Sequence, residues 1–279
     1  MMKYLLSGLL LLAAGLQAQE RIVSAGAGVT GLIQALGAAD QLVAVDSSSH
    51  LPADQALPVV GYHRQLATEG LLALKPSLLL GSEEMGPAST LQQVAKAGVK
   101  VVSLPAGGDV PSLLANIQTL GDLLQRPEAA HQLTQAVDRQ VSQLSQQATR
   151  LSAKPRLVYL LVVPGRPPMV AGGNTPADTL IRLAGGENPA AGLHNYPLLN
   201  LEGLLAMKPD GLVVSERSLQ VDPQLLQHAL PQLAQTPELK SLPLYTIPGS
   251  ALIGGLNLTS LSAAADLQQK LLSAAGSAS

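Results

Sequence analysis

EGLLALKP at residues 69–76 returns as EGLLAMKP at residues 202–209, 133 residues further on, and each copy runs into an apolar stretch, Ser77 to Leu80 and Asp210 to Val214. Seven of the eight positions agree, which chance does not supply even in a Leu-rich chain. Each copy reads as a short helix that ends at a proline and feeds a buried strand. The leading Glu suits a helix N-terminus, and Pro cannot continue a helix. A helix-to-strand unit used twice implies two similar lobes facing one another, and the cleft between such lobes is the default place for a ligand.

Outward from the repeat, the chain alternates short apolar runs with helical patterns. Arg21 to Ala25, a glycine-rich turn, the helical Leu32 to Leu36 and the strand-like Gln41 to Asp46 form a strand–helix–strand unit. Pro76 to Leu80 and Val99 to Leu104 flank a helical Thr90 to Ala97. In the second half, Leu157 to Val163, Gly211 to Val214 and Leu244 to Ile247 alternate with helical stretches at Thr179 to Ala184, Leu201 to Met207, Leu225 to Leu233 and Leu261 to Leu272. This alternation predicts an α/β protein with largely parallel sheets. Between the halves, Ala129, Leu133, Ala136, Val137, Val141, Leu144 and Ala148 fall at steps of three or four. Starting at Pro127, which suits the first helical position, the pattern predicts one helix to about Arg150, roughly 35 Å long at ~1.5 Å per residue. Such a helix is either a strut joining two lobes or a long surface helix within one domain. The expected organisation is a leader over 1–18, an N-terminal lobe over 19–125, the connecting helix over 126–151 and a C-terminal lobe over 152–279.

The leader rests on a cationic start at Met1 to Lys3, an apolar run from Leu5 to Leu16 and the small residue Ala18. The run is short for a membrane span, which takes ~20 apolar residues. The expectation is export with a mature start near Gln19, an N-terminal anchor being the alternative. Composition excludes several chemistries. The 279 residues hold no Cys, so disulfides, zinc thiolates, iron–sulfur clusters and thiol nucleophiles are out. With no Trp and no Phe, every large ring in the exported part is a Tyr: Tyr62, Tyr159, Tyr196 or Tyr245. A formal net charge of −2 argues against a nucleic-acid partner.

Gly26, Gly28 and Gly31 spell GxGxxG after a strand, with Asp46 downstream, in outline a dinucleotide fingerprint. No acid–base or hydride-transfer constellation accompanies it, so a tight strand-to-helix turn is preferred. Val60-Gly61-Tyr62-His63-Arg64 lies just upstream of the first repeat copy. If extended, it places Tyr62 and Arg64 on one face and His63 on the other. A guanidinium beside a phenol favours phenolate, a hard anionic oxygen that suits ferric iron. The alternatives are a half-buried loop aromatic and a surface charge. His194-Asn195-Tyr196 holds the comparable place before the second copy, either as polar contacts from the opposite lobe or as an ordinary loop. His50, His131 and His228 are scattered without zinc-ligand spacing. Glu69 and Glu202 have a sufficient structural reason in their helix starts, yet duplication also suits docking to a two-fold symmetric partner.

Taken together these residues resemble the periplasmic haem-binding proteins that feed bacterial haem ABC importers, within the wider cluster of vitamin B12 and siderophore-binding proteins. RIVSAGAGVTGLIQALG is similar to the opening strand–turn–helix of the cluster. VVGYHRQLATEGLLALKPSLLL resembles the GYxR…EG(I/L)L(A/S)LKP segment of the haem branch, and MVAGGNTPADTLIRLAGGENPA its AGxxTxADxxIxLAGGxN segment. The resemblance implies two Rossmann-like α/β lobes joined by one long rigid helix, and a soluble periplasmic protein without catalysis. It implies Tyr62 as axial ligand of ferric haem and Arg64 hydrogen-bonding near that ligand or to a propionate. It also implies Glu69 and Glu202 as the acids that meet arginines on the inner-membrane permease dimer, with an outer-membrane haem receptor upstream. One departure is visible. The LGFGPR-like stretch of the family is IGGLNL here, residues 253–258, without the Arg. The propionates then fall to Arg166, Asn174 or His194, or face water. Cobalamin or a ferric siderophore is the alternative cargo, less suited to a chain without Trp and Phe. A nucleotide-dependent enzyme using Gly26, Gly28 and Gly31 is the distant one.

Overall fold

The first lobe is built on four strands, the central two of which are buried on both faces. The four are β1 (Ile22–Ala25), β2 (Leu42–Val45), β3 (Leu78–Ser82) and β4 (Lys100–Leu104), all parallel and ordered β2-β1-β3-β4. Alternation along the strands sends Ile22, Leu78 and Leu80 into one core and Val23, Ala25 and Leu79 into another on the opposite face. The computed structural model describes residues 20–277 apart from 164, 222–223, 225–227, 230 and 232–235. The expected leader over 1–18 and most of the expected helix Leu225 to Leu233 lie outside the described residues.

Helix α1 (Ala27–Ala35) links β1 to β2, starting five residues earlier than the sequence pattern suggests. Side chains from the far end of β2 cap its glycine-rich start, so the glycines belong to the helix entry. Helices α2 (Thr68–Ala73) and α3 (Ala88–Lys96) cover one face, with Leu71 and Val94 in its core, and α4 (Val110–Leu123) covers the other.

The second lobe repeats the plan with one change. β5 (Leu157–Leu161), β7 (Gly211–Ser215) and β8 (Leu244–Ile247) are parallel, and β6 (Met169–Val170) takes the edge position that β2 holds in the first lobe. β6 runs antiparallel to β5, pairing Leu160 with Val170 and Leu161 with Met169. The cause is length. A parallel return needs a crossover of about a dozen residues or more, and only residues 162–168 connect β5 to β6. Helices α6 (Pro176–Leu183) and α7 (Leu201–Ala206) cover the sheet, with Leu180 and Leu204 in cores on its opposite faces. α7 is the counterpart of α2. Both repeat copies form the expected helix and strand, and Lys75 and Lys208, at the same repeat position, share a left-handed backbone with φ 48° and 45°.

The long helix is present as α5 (Pro127–Ala148). Ala130 and Val137 sit in the core of the first lobe and Leu144 in that of the second, so α5 spans both. A second helix does the same. In the C-terminal helix (Leu258–Ser277), Leu261 packs in the first lobe while Ala263, Ala264, Leu267 and Leu271 pack in the second. The buried Gln268 Nε2 donates to the Leu144 carbonyl at 2.8 Å, tying the two helices together. The one connecting helix that the resemblance implies is present, and the C-terminal helix runs beside it across both lobes.

Candidate functional site

In both lobes the parallel strands point their C-terminal ends at the gap, where ligands of open α/β sheets bind. The first lobe contributes the segment after β2. Val60 N–H donates to the Val45 carbonyl at 3.0 Å and Ser47 N–H to the Gly61 carbonyl at 2.8 Å, fixing the approach to Tyr62. Gln65 N–H then closes a turn on the Tyr62 carbonyl at 2.8 Å. Residues 62–65 are thus a turn where the sequence suggests an extended run. Tyr62 is half-buried at the gap and Arg64 is exposed, but the expected Tyr62–Arg64 pairing is replaced by a different one: Arg64 Nη2 bonds Glu84 Oε1 at 2.5 Å.

Between them His63 is fully buried and part of a charged network. Its Nδ1 donates to Asp46 Oδ2 at 3.1 Å, and its Nε2 lies 3.6 Å from Glu84 Oε2, an ion-pair distance too long for a hydrogen bond. Asp46 accepts from Gly26 N–H at 3.0 Å, Ser48 Oγ at 2.7 Å and Ser49 Oγ at 2.6 Å. Burial works against ionising Asp46, but the bonds from His63, Ser49, Ser48 and Gly26 outweigh it and hold its pKa far below the ordinary carboxyl range. For His63 burial favours the neutral ring, and Asp46 and Glu84 together reverse this and raise its pKa above 6.5. Burial likewise opposes the Glu84 charge, which His63, Arg64 and a backbone donor nevertheless stabilise, lowering its pKa. That donor is Gly254 N–H at 3.0 Å, from the segment leading into the C-terminal helix.

The Gly26, Gly28, Gly31 turn is spoken for by the same network. Gly26, at φ 116°, caps α1, its N–H engaged by Asp46, and Ala27 N–H donates to Ser48 Oγ at 3.1 Å. A carboxylate of the chain itself occupies the place a pyrophosphate would take. A Cβ on Gly28 would lie 2.8 Å from the Ile253 carbonyl, so this glycine permits close packing across to the second lobe.

The second lobe supplies groups that face Tyr62. Arg217, two residues beyond β7 in the short helix α8 (Glu216–Val221), lays its guanidinium over the Tyr62 ring at 5.8 Å from the centroid. Ser47, Ser48 and His50 on one side and Glu216, Arg217 and Gln220 on the other enclose a cavity of ≈ 340 Å³ beside this contact. Tyr196 packs against the core of the second lobe. Burial pushes its pKa up to about 12, the nearby charge of Glu84 adds to this, and its bond with Thr175 opposes it. Tyr159 is wholly buried in the core of the second lobe, where burial raises its pKa, and Tyr245 is half-buried on β8, raised by burial too. Tyr62 is the ring that Arg217 covers, and it also packs against His63 with centroids 4.3 Å apart.

The other sequence candidates are spread around the rim. Arg166 is exposed in the β5–β6 connection, its N–H donating to the Val163 carbonyl at 3.0 Å. Asn174 is exposed at φ 61°, its backbone packed against Gly108 of the first lobe. His194 is exposed beside Gly173. Among the described residues no hydrogen bond, ion pair or ring contact joins any of the three to Tyr62. Glu69 and Glu202 are exposed in the first turns of α2 and α7. Sequence reasoning missed Arg217 and Glu84. The usable signal was position, since each follows closely on the C-terminal end of an apolar strand.

Comparison with known proteins places these features in a family. The family described as periplasmic binding protein matches residues 22–251. The chain is similar to the periplasmic haem-binding protein HutB of Vibrio cholerae, with 41% identity, TM-score 0.82 and coverage of 91% of this chain and 99% of that one. It is similar to a periplasmic haem-binding protein from Pseudomonas aeruginosa, with 34% identity, TM-score 0.84 and coverage of 91% and 93%. Among curated proteins it is 32% identical over 233 residues to the vitamin B12-binding protein of Yersinia pestis (strain Pestoides F), covering 82% of this chain and 80% of that one.

Proposed function

The chain belongs to the periplasmic binding protein family, and we propose that it binds haem between its lobes and delivers it to an inner-membrane ABC importer. The observation that carries this reading is Tyr62, held in the cleft by the first lobe and met by Arg217 from the second. The similarity to two haem-binding proteins over nine-tenths of the chain supports it. Tyr62 provides a phenolate oxygen for ferric iron, an established form of haem ligation. Arg217 supplies the cation of the C-terminal lobe that is missing from residues 253–258, and Arg64, Arg166, Asn174 and His194 stand around the rim for the propionates. Glu69 and Glu202 meet basic residues on the two permease subunits, and an outer-membrane haem receptor stands upstream. The protein is a carrier and has no chemistry to perform on its cargo.

The protein acts in the periplasm after removal of residues 1–18, with lobes over 19–125 and 152–279 joined through 126–151. No helix among the described residues is long and apolar enough to cross a membrane. Titrating the protein with haemin and recording absorption tests the reading. A Tyr-ligated ferric haem spectrum, lost in Tyr62→Ala, supports it, and an unchanged spectrum on adding haemin overturns it. Cobalamin is the second reading, favoured by the vitamin B12-binding relative. Cyanocobalamin at equal concentration is expected to leave bound haem in place, and displacement would favour that reading instead.

A further inference from the structure

The residue before the first central strand of each lobe is an arginine. Arg21 precedes β1 and Arg156 precedes β5. Arg21 Nη2 donates to the Leu74 carbonyl at 2.7 Å and its Nε to the Lys75 carbonyl at 3.0 Å. Arg156 Nε and Nη2 both donate to the Met207 carbonyl, at 3.0 and 2.9 Å. Leu74 and Met207 are the same position of the repeat. The backbone contacts are duplicated as well: Arg21 N–H donates to Ser77 Oγ at 2.9 Å and Arg156 N–H to Asp210 Oδ2 at 2.7 Å, again equivalent positions. Each guanidinium therefore grips the C-terminal end of the short helix that carries Glu69 or Glu202 in its first turn.

The physics of short helices gives these contacts a purpose. A helix of six residues is too short to hold itself, and its last carbonyls lack partners within the helix. A guanidinium fork satisfies them and places positive charge at the negative end of the helix dipole. With one end of each helix pinned to the sheet, the direction of the glutamate at the other end is set by the clamp. Resting on the docking role of Glu69 and Glu202, we infer that Arg21 and Arg156 are positioning residues for delivery. They hold the two acids at the separation and tilt that a two-fold symmetric basic surface on the importer requires.

The test reads haem uptake by membrane vesicles carrying the importer, supplied with the haem-loaded protein. Haemin affinity and thermal unfolding are measured on each variant. Arg21→Gln is expected to lower uptake roughly five-fold with haemin affinity unchanged, and to add nothing in a Glu69→Gln background, because the arginine acts through that acid. Arg156→Gln should behave the same way toward Glu202→Gln. If Arg21→Gln melts below the assay temperature, Arg21→Lys takes its place, keeping the charge but losing the fork. Uptake unaffected by the arginine variants while Glu69→Gln impairs it overturns the positioning role alone. Losses that multiply in the double variants also overturn it, since they mark a purely structural clamp. No effect of Glu69→Gln and Glu202→Gln overturns the docking role itself.

Discussion

The two lobes agree at one end of their sheets and differ at the other. At the N-terminal ends of the strands they share the repeat, the arginine clamp and the left-handed Lys75 and Lys208. After the C-terminal ends of its strands the first lobe has a charged cluster, the buried Asp46 and His63 with the half-buried Glu84, whereas the second has Glu216 and Arg217 after β7 and the neutral pair Thr175 and Tyr196 after β6. Even the edge strand differs, parallel in β2 and antiparallel in β6. A duplicated fold has kept what holds the helices on the sheets and diversified the side chains at the gap. The gap is thus asymmetric while the exposed acids Glu69 and Glu202 remain a matched pair.

The largest expected effects test the shared part. Leu71 and Leu204 are the same repeat position and both are fully buried. Leu71→Ala and Leu204→Ala should each cost about 2–5 kcal/mol, and by similar amounts, in denaturant unfolding. A large disparity would break the equivalence of the lobes. The next effect concerns the divergent part. Tyr62→Ala should weaken haemin binding by about two orders of magnitude, about 2.7 kcal/mol, in absorption titrations, and Tyr196→Phe should leave it nearly unchanged. Equal losses would mean that both lobes ligate. Arg217→Ala should weaken binding roughly ten-fold, losing the second lobe's cation beside Tyr62 and a cation–π contact worth about 0.5–1 kcal/mol.

The smallest effect is the pH response of the charged cluster. His63 has a raised pKa, so its contribution to stability is complete below the ordinary 6.5 and is lost as pH rises through the raised value. Asp46 and Glu84 have lowered values, so their contribution is present above the ordinary 3.8 and 4.5 and is lost as pH falls toward the lowered ones. Calorimetry across pH should show the melting temperature declining on both sides, with the alkaline decline removed in His63→Gln. A decline that survives this substitution would assign it to another group.

Much of this is legible in the sequence. The repeat located α2, β3, α7 and β7, and the spacing of Ala129 through Ala148 located α5, because burial on one face leaves its period in the sequence. Period does not say which core a face enters. Leu261 and Leu267 look alike in the chain, yet one packs in the first lobe and the other in the second. The clamp escaped because the repeats are 133 residues apart and the arginines 135, so sliding one half over the other misaligns them. Arg217 escaped because its partner, Tyr62, is 155 residues away and no local pattern marks a cation–π contact. The turn at 62–65 is not legible, because one hydrogen bond bends a segment whose alternation reads as extended.

The buried bond from Gln268 to Leu144 joins two bars that are each anchored in both lobes. A single bar lets its ends swivel, whereas two cross-linked bars resist twisting as well as bending. Two such bars predict a preset bracket rather than a closing jaw, its width the same loaded or empty. Small-angle scattering with and without haemin should give the same radius of gyration, and the work of prising the cargo loose falls on whatever grips the bracket from outside.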